Sequence, residues 1–209
     1  MHRMEYLTLH EVVINETVLI MNAVFDKLKT PLIIRRIRRS DIIWQQRKAR
    51  RNLLQPEKHQ LNWKWLFNQY RKNKPTESGV EQTAYVFCLK NPPQERAAFL
   101  LKSCRVDENN LEINALENFF RKTPEHPLKR KMLFFSLCIM VTYANALDEN
   151  KLLVKEKTRF IIKDVVNEVV MRFYMSEAPL RKVAGKMECQ SNYFLLNAYM
   201  NSKLNNRTL

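Results

Sequence analysis

Glycine is nearly missing from this chain. Gly79 and Gly185 are the only two among 209 residues, against an average usage of about 7%. That scarcity excludes the glycine-rich loops that cradle phosphate by letting backbone N–H groups approach closely. Metal-binding spacings are lacking as well: Cys88, Cys104, Cys138 and Cys189 lie far apart with no C-x-x-C, and His2, His10, His59 and His126 form no H-x-x-x-H pair. The sequence therefore offers no metal site. Three of the cysteines stand in apolar or strand-like surroundings, which reads as buried free thiols and favours a reducing, cytoplasmic compartment. A secretory leader is not expected, because "MHRMEYLTLHE" carries polar and acidic residues where an apolar segment should be. The most apolar run, "MLFFSLCIMV" at 132–141, is too short to cross a bilayer and predicts a buried helix instead.

What is present argues for a folded core. Hydrophobic residues make up 45% of the chain, with 11 Phe, 7 Tyr and 3 Trp, a composition unlike that of disordered segments. Length favours one domain with an added terminus. Lys and Arg number 36 against 21 Asp and Glu, a net charge of +15, so an anionic partner such as RNA, DNA, a nucleotide or a membrane surface is one reading. A basic, solvated surface that only maintains solubility is the other.

Along the chain, residues 1–30 read as an amphipathic helical extension that Thr30-Pro31 stops, and 31–209 as the domain proper. "LIIRRIRRSD" at 32–41 predicts a strand with a basic face, with Ser40 or Asp41 capping the helix "IIWQQRKARRNLL" that follows. "LNWKWLFNQYRKN" predicts a second short helix and 74–82 a surface connection. "TAYVFCLK" and "RAAFLLKSCRV", parted by the turn "NPPQE", predict a hairpin, and "NLEINALENFF" at 110–120 a third meandering strand. A long apolar helix is expected from Met132 to about Ala146, then a strand "RFIIKDV", a helix "NEVVMRFYMSE" and a closing strand "NYFLLNAYM" at 192–200. Residues 147–158 fit either a strand or a helical extension. The fold class is thus mixed α+β, with a central, mostly antiparallel twisted sheet flanked by helices.

"IIRRIRRSD", "LEINALENFF" before a loop and a long apolar helix, and "NEVVMRFYMSEAPLRKV" together make residues 32–200 resemble the GCN5-related N-acetyltransferase superfamily. The last stretch is similar to that family's N-x-x-A-x-x-F-Y motif. The resemblance implies acyl transfer from acetyl-CoA to an amine. It also implies a fourth and fifth strand that splay apart, so that backbone at Asn118, Phe119 and Phe120 meets the pantetheine arm. By the same resemblance Tyr174 protonates the departing thiolate and Asn167 contacts the cofactor. The phenol suits this task, since a pKa of about 10 keeps it a proton donor at neutral pH.

The sequence departs from the family where glycines usually wrap the pyrophosphate. "LKRKML", Leu128 to Leu133, has none. Lys129, Arg130 and Lys131 can hold phosphate by charge, with backbone at Met132 and Leu133 at the helix start. Ala178-Pro179 likewise stands where Gly-Phe is usual. Glu112 and Glu117 are candidates for the general base, on opposite faces of a regular strand, with Glu117 preferred as nearer the splay. Two other readings compete. A catalytically inactive acetyltransferase-like interaction protein is favoured by the lost glycines. A basic nucleic-acid-binding module is favoured by Arg35, Arg36, Arg38 and Arg39, and by Arg47, Lys48, Arg50 and Arg51 beside Trp44.

Overall fold

The computed structural model describes residues 3–50, 61–72, 80–91, 95–120, 123 and 125–205. Arg51, most of the connection expected at 74–82 and the centre of the "NPPQE" turn lie outside them. In chain order the elements are α1 (Arg3–Lys27), β1 (Leu32–Arg36), α2 (Arg39–Arg50), α3 (Trp63–Lys72), β2 (Val80–Leu89), β3 (Arg96–Arg105), β4 (Asn110–Asn118), α4 (Met132–Glu149), β5 (Arg159–Ile162), α5 (Glu168–Glu177), β6 (Arg181–Lys182), β7 (Cys189–Asn192) and α6 (Tyr193–Asn205). The seven strands form one sheet in the order β1-β2-β3-β4-β5-β7-β6. Every neighbouring pair is antiparallel except β4–β5, which is parallel.

Alternation along the strands sends side chains to two faces. Leu32, Ile34, Tyr85, Phe87, Leu100, Leu111, Ile113 and Phe160 enter the main core with α1 and α4, whereas Val86, Cys88, Phe99, Leu101 and Ala115 pack with Ile42 and Trp63 of α2 and α3. α4 is apolar on every side and almost wholly buried, the pattern of a core helix. α1 contributes Val13, Ile14, Met21 and Phe25, all essentially inaccessible, with Phe25 edge-on to Phe135 of α4 at 5.0 Å. Its Asn22 carboxamide both donates to Ile34 O (3.0 Å) and accepts from Ile34 N–H (2.8 Å), so the edge of β1 is bonded by a side chain in place of another strand.

One expected element is overturned. Residues 192–200 were predicted as a strand from their aromatic content, yet only Cys189–Asn192 pair in the sheet, and α6 begins at Tyr193. The Asn192 side chain accepts the Leu195 N–H (3.0 Å) as an N-cap, and Tyr193, Leu196 and Met200 are buried at helical spacing. The short β6–β7 hairpin, turned by Gly185 at φ 71, was not foreseen. Residues 147–158 resolve into the end of α4 and a 3-10 turn at Lys155–Lys157.

Scarce glycine has a local cost. α1 and α4 both end in a Schellman motif: Thr30 N–H reaches Phe25 O and Leu152 N–H reaches Leu147 O, each at 2.9 Å. The left-handed position in each is a lysine, Lys29 at φ 53 and Lys151 at φ 57, where a Cβ costs about 1–2 kcal/mol that glycine avoids. Lys29→Gly and Lys151→Gly should therefore each raise unfolding stability by about 1 kcal/mol in denaturant titration, and a loss of stability would contradict this account of the two helix ends.

Lys102 on β3 is fully buried, its Nζ 2.9 Å from the centre of the Tyr143 ring. Burial lowers its pKa from 10.5 to about 7, with Cys104 and Glu81 opposing the shift. Because the unfolded chain keeps a proton that the folded chain releases between those values, stability should rise with pH across that window. Lys102→Met should flatten the rise; an unchanged pH profile of the melting temperature would refute it.

Candidate functional site

The parallel pair β4–β5 is brief. Its register runs from Asn110↔Arg159 to Ile113↔Ile162, and Lys163 N–H to Ile113 O (2.9 Å) is the last link. Two local features then part the strands. Asn114 is an extra residue in β4, since Leu101 opposes Ala115 while Lys102 opposes Ile113, and such a bulge bends its strand. On the other side Asp164 takes a left-handed φ of 50, and Val165 N–H bonds to Met187 O (2.8 Å) instead of to β4. β4 continues to Asn118 beside β3 alone. The splay implied by the family resemblance is therefore present.

The same bulge decides which groups meet the gap. Phe119 N–H donates to Ala97 O (3.0 Å), so by strand alternation the backbone of Leu116 and Asn118 turns away from β3 and toward the gap. Phe120 N–H bonds instead to Asn118 Oδ1 (2.9 Å). Of the three backbone positions expected there, Asn118 faces the opening, and Leu116 joins it. A bulge cannot be read from alternation, which is why Leu116 was missed.

It also corrects the placement of the two glutamates. Both face α2 and α3, because the extra residue restores Glu112 and Glu117 to one side of the sheet. Glu112 is occupied: Ser103 Oγ donates to it (3.0 Å) and Lys163 Nζ pairs with it at 2.9 Å. Glu117 is buried and accepts the Trp63 indole N–H (2.5 Å). Trp63, Phe99, Phe119 and Trp44 continue from there as an aromatic chain with centroids 5.1, 4.8 and 5.5 Å apart, the first two contacts edge-to-face and the last tilted.

At the end of β4, Asn118 Nδ2 donates to Leu128 O (3.4 Å), and His126 stacks on Phe120 (4.7 Å) while its Nδ1 accepts the Leu128 N–H (3.2 Å). These contacts tie the mouth of the gap to the turn that starts α4. There Arg130 adopts φ 60, a left-handed residue in the turn without glycine. Lys131 is the N-cap and has no side-chain cap bond. The first helical bond is Phe135 N–H to Lys131 O (2.9 Å), so the N–H groups of Met132, Leu133 and Phe134 precede the intrahelical ladder. Lys129 and Lys131 are half-buried, Arg130 is exposed, and the Met132 and Leu133 side chains are buried.

α5 follows β5 in the chain and packs against β6 and β7. Asn167, expected to touch the cofactor, is its N-cap, with Oδ1 accepting the Val170 N–H (2.9 Å). Tyr174 lies half-buried against the main core, and burial pushes its pKa up, with Cys189 adding to the shift.

α2 is fixed by a feature the sequence only hinted at. Asp41 caps no helix as the N-cap; it stands in the first turn, and its Oδ2 accepts the Arg38 N–H (2.7 Å). Its carboxylate also takes two bonds from Arg35 (2.8 Å each) and one from Arg96 Nε (2.9 Å). This ties β1, β3 and α2 together. Beside it opens a cleft of about 520 Å³ lined by Ser40, Ile43, Trp44, Arg47, Lys48 and Arg96.

No protein-family model matches the chain, and no curated protein sequence is similar to it. Solved structures resemble it in architecture. A spermidine N-acetyltransferase from Vibrio cholerae, in complex with CoA and spermine, is 11% identical over 80% of this chain and 98% of its own, with a TM-score of 0.46. An acetyltransferase of the GNAT family from Staphylococcus aureus is 12% identical over 78% and 99%, with a TM-score of 0.45. A domain from Methanocaldococcus jannaschii is 13% identical over 77% and 97%, with a TM-score of 0.48.

Burial pushes the Asp41 carboxyl up, but Arg35, the Arg38 N–H and Arg96 outweigh it and hold it below the ordinary carboxylate range. The stability it contributes is complete above that range and is lost as pH falls. Asp41→Asn should cost about 3–5 kcal/mol at neutral pH, as when one partner of a buried pair is removed, and should shrink the loss of stability in acid. An acid limb as steep as that of the unaltered protein would contradict this role.

Proposed function

We propose that this protein is an acyl-CoA-dependent N-acyltransferase that moves an acetyl group from acetyl-CoA to an amine. The observation that carries the reading is the parting of β4 and β5 beside the cationic start of α4.

The residues present fit the donor by charge and by backbone. Lys129, Arg130 and Lys131 offer three cations where a pyrophosphate needs compensation, and the leading N–H groups of α4 supply donors at the positive end of its dipole. Arg130 takes a left-handed turn, a conformation that glycine adopts without steric cost. The edge of β4 at Leu116 and Asn118 offers backbone groups to an amide-bearing arm, as a missing strand would.

When bound, the donor supplies a thioester carbonyl and a thiolate leaving group. Tyr174 holds its proton at neutral pH, because burial raises its pKa, and gives it to the departing sulfur. Glu117 accepts the proton that the amine sheds, with one carboxylate oxygen held by Trp63. Asn167 fixes the start of α5 and through it the direction from which Tyr174 approaches. The acceptor side lies over α2 and α3, the face toward which Glu117 points.

A thermal-shift titration with acetyl-CoA tests this. Saturation at about a hundredfold excess over Kd adds about 2.7 kcal/mol to unfolding, a rise of several degrees for a chain of this size. Lys129→Ala with Lys131→Ala should reduce the rise, and added salt should weaken binding to the unaltered protein more than to this variant. Tyr174→Phe should keep the rise and lower turnover about 10²–10⁴-fold. No rise at millimolar acetyl-CoA would refute the proposal.

A further inference from the structure

The cleft beside α2 has a charge pattern that acyl transfer does not require. Among the described residues no carboxylate lines it. Arg96 is committed to Asp41, but Arg47 and Lys48 have no ion-pair partner among the described residues. Trp44 lines the cleft with them: Phe119 holds its ring at 5.5 Å, and Lys48 Nζ and Arg96 Cζ each stand 5.9 Å from its centroid. Arg38 and Arg39 are exposed at the start of the same helix and extend the positive edge beyond the cleft. A volume of about 520 Å³ is within the range of small-molecule pockets and accepts one nucleotide-sized unit. A half-buried indole beside Arg47 and Lys48 suits a planar base joined to phosphate better than a lipid surface or an acidic peptide.

We propose that this cleft binds single-stranded nucleic acid, with Arg47 and Lys48 on successive phosphates, Trp44 against a base, and Arg38 and Arg39 guiding the strand onward. The site lies on the α2 side of the sheet, the side toward which Glu117 points, and the binding proposed here stands on its own residues and does not depend on the acyl-transfer reading. It gives part of the charge of +15 a defined task and assigns the "IIWQQRK" segment a ligand.

Fluorescence anisotropy of the full chain with a short labelled uridine-rich RNA, at about 50 mM salt and then at rising salt, tests it. The strand should bind, and Arg47→Ala with Lys48→Ala should weaken binding at least tenfold. The slope of log K against log salt should fall by about 0.7 for each phosphate contact removed. Lys151→Ala with Lys157→Ala removes the same charge from exposed positions elsewhere and should change binding less than twofold. In a Trp65→Phe background, which removes an exposed indole while Trp63 stays buried, RNA should quench the Trp44 emission. Equal losses from both charge pairs would overturn the proposal in favour of net charge alone. Displacement of the RNA by AMP at equal nucleotide concentration would overturn it in favour of a free nucleotide, and equal displacement by poly-glutamate in favour of an acidic protein. Because acetyl-CoA plays no part in the readout, failure here is distinguishable from failure of the acyl-transfer reading.

Discussion

The separation of β4 from β5 is the constraint on which the candidate site depends. Parallel strands joined through a long crossover helix would ordinarily pair along their shared length. Here the bulge at Asn114 bends one strand and the left-handed Asp164 turns the other aside within a residue or two of the last link, Lys163 to Ile113. From that divergence follow the backbone edge at Leu116 and Asn118, the placement of Glu112 and Glu117 on one face, and the position of the α4 turn against the end of β4. The sheet beyond the gap is held by the β5–β7 pairing, so the opening is maintained from both sides by hydrogen bonds that do not cross it.

A chain with two glycines reaches its turns by another route. Lys29, Asn109, Arg130, Lys151 and Asp164 all occupy left-handed backbone, and each non-glycine residue carries a steric cost there. Asn109 and Asp164 are residue types that tolerate the conformation. The lysines and Arg130 are tolerated less readily, yet they place positive charge at chain reversals. At Arg130 that substitution has a direct meaning: geometry usually provided by glycine is combined with a cation at the start of a helix, where an anion is the natural neighbour. The same exchange of backbone freedom for charge recurs around α2, where Asp41 organises Arg35 and Arg96 and leaves Arg47 and Lys48 without ion-pair partners among the described residues.

Much of the fold was legible because its signals are local. Alternation gave the β2–β3 hairpin and β4, and the unbroken apolar run gave α4, which extends to Glu149 instead of Ala146. The segment 192–200 was misread because Phe, Leu and Tyr suit a strand as well as a helix, and the deciding contact is the single cap from Asn192 to Leu195. Of the proposed site, the cationic turn and Tyr174 stand out in the sequence. Its geometry does not: neither the bulge at Asn114 nor the reversal at Asp164 leaves a periodic trace, and with them went Leu116 and the shared face of the glutamates. Asn167 shows the limit from the other direction, because a motif residue that suggests ligand contact also satisfies a helix end.

The central claim is that an acyl-CoA arm lies along β4 where β5 has left it, with its phosphates at the start of α4. Hydrogen exchange resolved to individual amides, with and without acetyl-CoA, addresses that claim most directly. The account predicts slowed exchange at 114–118 of β4 and at Met132, Leu133 and Phe134, with little change along β1 and β2. Slowing that spares the β4 edge and the α4 start, or that gathers at the α2 cleft, would contradict it.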